Sequence, residues 1–106
     1  MFPHRRLVII EEYLGGGANG RSYGPPQTIP RAYIVDADEI VRDQYDAETT
    51  STTTVYLERS AVARIPAPET RVTVRAGTED ERVAHVIRCT RHDHPKIADL
   101  LEVRLR

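Results

Sequence analysis

Period-two alternation, repeated in short runs between turn-forming residues, is what most constrains the fold of this chain. Residues 52–59, TTTVYLER, are rich in β-branched and aromatic side chains, and Thr53, Val55 and Leu57 alternate with Thr54, Tyr56 and Glu58. Residues 71–76, RVTVRA, alternate again with Val72 and Val74 on the apolar side. The turn-forming GTEDE follows, and residues 83–90 pair back as the second strand of a hairpin. In the final LLEVRLR, Leu101, Val103 and Leu105 face in while Glu102, Arg104 and Arg106 face out. Earlier strands cover 5–11 and 32–37; in the latter Tyr33 and Val35 share one face and Ile34 takes the other. Pro66 and Pro68 make 65–69 a bend, and Pro95 centres a turn over 92–96. No stretch is a convincing amphipathic helix, and only 97–103 offers a short helix as an alternative to a strand. About six short strands predict an all-β domain over residues 1–106, a small antiparallel β-barrel or sandwich.

Residues 14–30 break the pattern, with five glycines and three prolines in 17 positions, and are expected to form a long flexible loop after the first strand. Within it, GGGANGRS invites a nucleotide-binding interpretation. Gly15, Gly17 and Gly20 fit G-x-G-x-x-G, and Gly15, Gly20, Arg21 and Ser22 nearly fit a P-loop. Both patterns work by opening a helix whose N-terminus faces the phosphates. Here Pro25, Pro26 and Pro30 follow instead, Arg21 stands where the P-loop has Lys, and no parallel βαβ unit is present. The glycines therefore supply conformational freedom, and no nucleotide cofactor is expected.

Cys89, His92, His94 and His85 are metal-ligand types close in sequence. On a continuous strand His85 and Cys89 share a face opposite His92 and His94, and no second cluster completes a tetrahedral set, so no metal is expected. A Cys–His nucleophile would need the same convergence and an oxyanion site, which leaves an enzyme unsupported. Cys89 is the only cysteine, fitting a small buried thiol in a reducing compartment. The longest apolar runs span about four residues against the ~18 of a membrane helix, so a soluble protein made in the cytoplasm is expected.

Fifteen basic and 16 acidic residues give a net charge of −1, too little positive charge for a protein that coats nucleic acid. The charges are unevenly spread. Residues 36–48 hold Asp36, Asp38, Glu39, Asp43, Asp46 and Glu48 against Arg42 alone, within an acidic segment 36–50 whose form is ambiguous between strand, helical turn and extended arm. Residues 82–106 hold six bases, Arg88, Arg91 and Arg104 among them, against three acids. Such a split fits either two solvated faces or two surfaces of neighbouring copies that attract each other. With no Trp and one Phe, part of the packing is expected from neighbouring subunits.

A strand near the N-terminus, a long loop, an acid-rich segment, TTTVYLE, a proline bend, the RVTVRAG hairpin and a terminal strand ending in VRLR together resemble the head-to-tail stopper (head closure) proteins of long-tailed bacteriophages. The similarity is one of layout along nearly the whole chain. ETRVTV and VAHVIRC stand where the family often carries an Asp-x-Val segment and a Gly-Tyr-x-Val hairpin. The resemblance implies a β-barrel subunit in a homo-oligomeric ring in the virion neck, between an adaptor ring on the head side and a tail terminator on the tail side. Packaged DNA would lie in the lumen without sequence-specific contact. On that basis Gly15, Gly16, Gly17, Asn19 and Gly20 are the candidate gate. Asp36, Asp38, Glu39 and Asp43 are the candidate acidic lumen or interface, and Arg88, Arg91 and Arg104 the candidate basic interface. A tail-completion or tail-terminator ring protein and a monomeric β-barrel peptide-binding module are the alternatives.

Overall fold

Nine strands account for most of the chain in the computed structural model, which describes residues 7–17, 20–93 and 99–106. They are β1 (Val8–Glu11), β2 (Tyr13–Gly17), β3 (Gly20–Tyr23), β4 (Gln27–Ile29), β5 (Tyr33–Arg42), β6 (Glu48–Glu58), β7 (Arg71–Val74), β8 (Arg82–His92) and β9 (Leu100–Leu105). The one helical piece among the described residues is a 3-10 turn, Arg59–Ala61. Seven strands form an antiparallel sheet in the order β4-β1-β7-β8-β9-β6-β5, and β2 pairs with β3 in a second sheet. The all-β antiparallel fold expected from the alternation is thus the fold observed, with nine strands where about six were legible.

The sheet is rolled. β4 and β5 are its two edges, yet only residues 30–32 separate Ile29 from Tyr33, a connection that spans at most ~14 Å. The edges therefore approach without pairing, so the roll is an open one rather than a closed barrel. Side chains from both halves meet inside. Val8, Ile29, Val72 and Val74 from one half join Val55, Leu57, Val103 and Leu105 from the other in a single core. The terminal strand behaves as its alternation predicts: Leu101, Val103 and Leu105 are buried, opposite Leu57, Val55 and Thr53 on β6. Residues 94–98, which contain His94 and the first two positions of the possible short helix, lie outside the described residues; of the rest of that helix, residues 100–103 are strand, part of β9.

Residues 14–30 differ most from expectation. They form β2, β3 and β4 instead of an irregular loop. β1 runs into β2 through Glu12 alone, and β3 runs into β4 through residues 24–26, so the pairs β1–β4 and β2–β3 make one bent ribbon. The prolines fall where no ladder hydrogen bond is needed: Pro25 and Pro26 at the bend, Pro30 just beyond the short edge strand. Gly15 and Gly20, with φ of 105° and 92°, take the left-handed backbone that a bulge at Leu14 and the end of the ribbon require.

Bulges also correct the strand-face argument for His85 and Cys89. The extra residue Ile87 in β8 shifts the register, so that Val86 faces Leu105 and Arg88 faces Arg104. His85 and Cys89 consequently lie on opposite faces, with His85 bonded across to the Arg106 backbone and Cys89 packed against the core.

Candidate functional site

Two β-ribbons extend from the rolled body. The first is β2–β3. Its base is braced by side chains: Tyr13 and Tyr23, opposite one another, have ring centres 5.8 Å apart, and the Arg71 guanidinium sits 4.1 Å from the centre of the Tyr23 ring. Arg71 also donates two hydrogen bonds to Glu11, of 3.0 and 2.9 Å. Arg21 pairs with Glu69 at 2.8 Å, and Gly24 N–H donates to the Glu12 carbonyl. Beyond Tyr13 and Tyr23 the described part of the ribbon is glycine apart from Leu14, Arg21 and Ser22, and Leu14 is exposed. Gly15, Gly16, Gly17 and Gly20 are all on it, whereas Asn19 lies outside the described residues.

The second ribbon is the far half of β5–β6. Leu105, the last residue of β9, is opposite Thr53, so residues 48–51 of β6 pair only with residues 39–42 of β5 among the described residues. A bulge at 37–38 bends the ribbon at its root. The segment that was ambiguous in the sequence is thus a strand, a tight turn and a second strand. Asp43 builds the turn: one carboxylate oxygen accepts from the N–H of Tyr45 (2.8 Å) and of Ala47 (3.0 Å), and the Asp43 N–H donates to the Ala47 carbonyl. Those two backbone donors hold the Asp43 carboxyl below its usual range. Asp46 completes the turn at φ 63°, with Arg42 donating to its carbonyl. The turn displays Tyr45, 81% exposed, and the strand before it displays Ile40.

The charge segregation seen in the sequence is largely cancelled within one subunit. Asp36 accepts from Thr53 and pairs with Arg75 (2.7 Å) and Arg82. Burial works to raise its carboxyl pKa, but these partners outweigh it and hold the value low. Glu39 pairs with Arg104, which also holds Glu102 and reaches Thr54. Arg91 pairs with Asp99 and holds its carboxyl low. Asp38 and Arg88 have no ion-pair partner among the described residues; Arg88 lines a recess of about 220 Å³ with Val41, Thr90 and Arg104. Of the candidate acidic and basic residues, Glu39 and Arg104 meet within the subunit, reaching across β6, which lies between β5 and β9.

A larger groove of about 770 Å³ opens at the seam between the sheet edges, lined by Ile29, Ala32, Tyr33, Leu57, Ala61 and Leu100, with Arg31 and Glu58 as its charges. Sequence reasoning did not identify this groove, since its walls come from both ends of the sheet order. Nor did it identify Tyr13 and Tyr23 as a pair, although two tyrosines flanking a glycine run are a hairpin signal. Among the described residues no three His, Cys, Asp or Glu side chains gather as a metal site, and no helix is long and apolar enough to cross a membrane.

Compared with protein-family models, curated proteins and solved structures, the chain matches none.

Proposed function

We propose that this chain is a structural virion protein, a head-to-tail stopper whose ring in a phage neck closes the DNA channel after packaging and offers the platform on which the tail docks. The observation that carries the proposal is the slender glycine-rich ribbon β2–β3 standing off a rolled β-body. In a ring of copies, such ribbons directed inward form a set of fingers that block a channel and yield by bending, while their braced bases keep them in register. The absence of α-helix among the described residues favours the stopper over a tail-completion or tail-terminator ring, which the resemblance associates with helices on a sheet. Asp38, exposed at the root of the second ribbon and without an ion-pair partner among the described residues, carries outward negative charge, which lets DNA slide past by repelling phosphate. The ring's neighbours are then the adaptor ring and the tail terminator.

The test deletes residues 15–20. The circular dichroism of the body should be retained, while particles carrying the deletion lose packaged DNA or fail to join tails. Normal particles would overturn the gating role. Failure of the intact protein to bind portal–adaptor complexes would overturn the neck assignment and favour a solitary peptide-binding module using the open sheet edge.

A further inference from the structure

The turn at Tyr45 and the groove at the sheet seam each lack a partner within their own chain. Tyr45 is almost fully exposed on a turn already fixed by Asp43, so burying it orders little that is not ordered beforehand. Exposed aromatic side chains on an ordered backbone are the kind of anchor that carries binding energy at protein interfaces. The groove is the complementary shape. Its volume lies within the ~300–1,000 Å³ of sites that enclose a ligand, its walls are mainly apolar, and few polar groups converge in it to select a small polar molecule. The turn carries net negative charge, Asp43, Asp46 and Glu48 against Arg42, which pairs with the last two at 3.7 and 4.0 Å; the groove holds Glu58 and Arg31, and Arg31, without an ion-pair partner among the described residues, is the cation the turn would meet.

We propose that the Tyr45 turn of one copy seats in the β4–β5 seam groove of a second copy, with Asp46 and Glu48 beside the partner's Arg31. The contact joins two different surfaces, so it repeats from copy to copy and either closes into a ring or grows. It rests on the ring assembly proposed above and specifies how neighbouring subunits would engage. The other sheet edge of the groove, β5, is long and unpaired on its outer side among the described residues, an edge that proteins ordinarily cover.

Two exposed positions test the contact without touching the core. Tyr45→Ala removes the anchor, and Ala61→Trp fills the groove. Light scattering on a sizing column, over concentrations up to the solubility limit, should show self-association of the intact protein and its weakening by about tenfold or more in each variant, with unchanged thermal melts. An equimolar mixture of the two variants retains one working turn and one working groove, and should form dimers and nothing larger. A mixture that stays monomeric, or a Tyr45→Ala variant that associates like the intact chain, overturns the contact. Rings that persist in Tyr45→Ala would overturn this contact and leave the neck assignment standing. An intact protein that stays monomeric at every concentration would overturn the contact alone, since binding to portal–adaptor complexes decides the neck assignment separately.

Discussion

Arg71 on β7 holds the Tyr23 ring under its guanidinium, 4.1 Å from the ring centre, while the same group grips Glu11 through two hydrogen bonds. One side chain thus couples the body of the sheet to the base of a ribbon that has few other restraints. A two-stranded ribbon is marginal in water by itself, so its order depends on such bracing.

Arg71→Lys should therefore loosen the ribbon although it keeps the charge, because an ammonium cannot form the paired bonds to Glu11 and stack at the same time. The urea midpoint should fall only slightly, because the group is exposed to solvent. Amide exchange should accelerate at Arg21 and Ser22 far more than at Val103. Equal acceleration at both would show that Arg71 supports the whole sheet rather than the ribbon.

The Asp43 turn gives a pH dependence. The carboxyls of Asp36, Asp43 and Asp99 are all held low in the folded chain, by Arg75 and Thr53, by backbone N–H groups, and by Arg91 respectively. Each binds its proton less readily folded than unfolded. Their stabilisation is therefore complete above the unfolded value of about 3.9 and disappears as pH falls through the lower folded values. Thermal melts should hold steady down to about pH 4 and drop below it. Asp43→Asn keeps an acceptor for the N–H groups of Tyr45 and Ala47 but no titrating group, so its acid limb should be shallower than that of the intact chain.

Legibility in the sequence followed the range of the interactions. Leu101, Val103 and Leu105 were readable because alternation is a property of one strand, and their burial required only that the strand find a core. The ribbon was not readable: glycine and proline frequency signals a loop, and only the pairing of Tyr13 with Tyr23 across the glycines turns those residues into strands. The pairing of Asp36 with Arg75 depends on the roll of the sheet and that of Glu39 with Arg104 on the strand order β5-β6-β9, neither of which a local pattern encodes. Two charge blocks that looked like separate surfaces are for that reason joined within the subunit by Asp36–Arg82 and Glu39–Arg104. The register error at Cys89 has the same origin, since a single extra residue at Ile87 reverses every face assignment beyond it.

The core should be unforgiving in a domain of this size. Leu101 is fully buried between Leu57 and Arg91 in the neighbouring ladders, and Leu101→Ala should cost about 2–5 kcal/mol, a large part of the ~5–15 kcal/mol of a typical domain. Ile40→Ala, on the exposed second ribbon, should change stability by no more than about 0.5 kcal/mol. Chemical denaturation of the two variants side by side provides the check. A comparable loss at Ile40 would mean that the ribbon packs within the subunit more tightly than its exposure indicates.

Cys89 supplies a reporter of the same strand from within. Burial, and secondarily the negative charge of Glu102, push its thiol up to about 11. The attacking species is the thiolate, so at pH 8 about one thiol in a thousand is reactive in the folded chain. Reaction with a disulfide reagent should be slow in the native protein and rise sharply on adding denaturant. Because the folded thiol holds its proton more tightly than the unfolded one, its contribution to stability is intact below an unfolded value of about 8.5 and lost as pH rises toward 11. Glu102→Gln removes the smaller of the two causes and should speed native-state labelling modestly. Labelling at the rate of a free thiol in the intact protein would show that β8 and β9 part readily around Cys89 and Val103, a pair the register sets directly opposite.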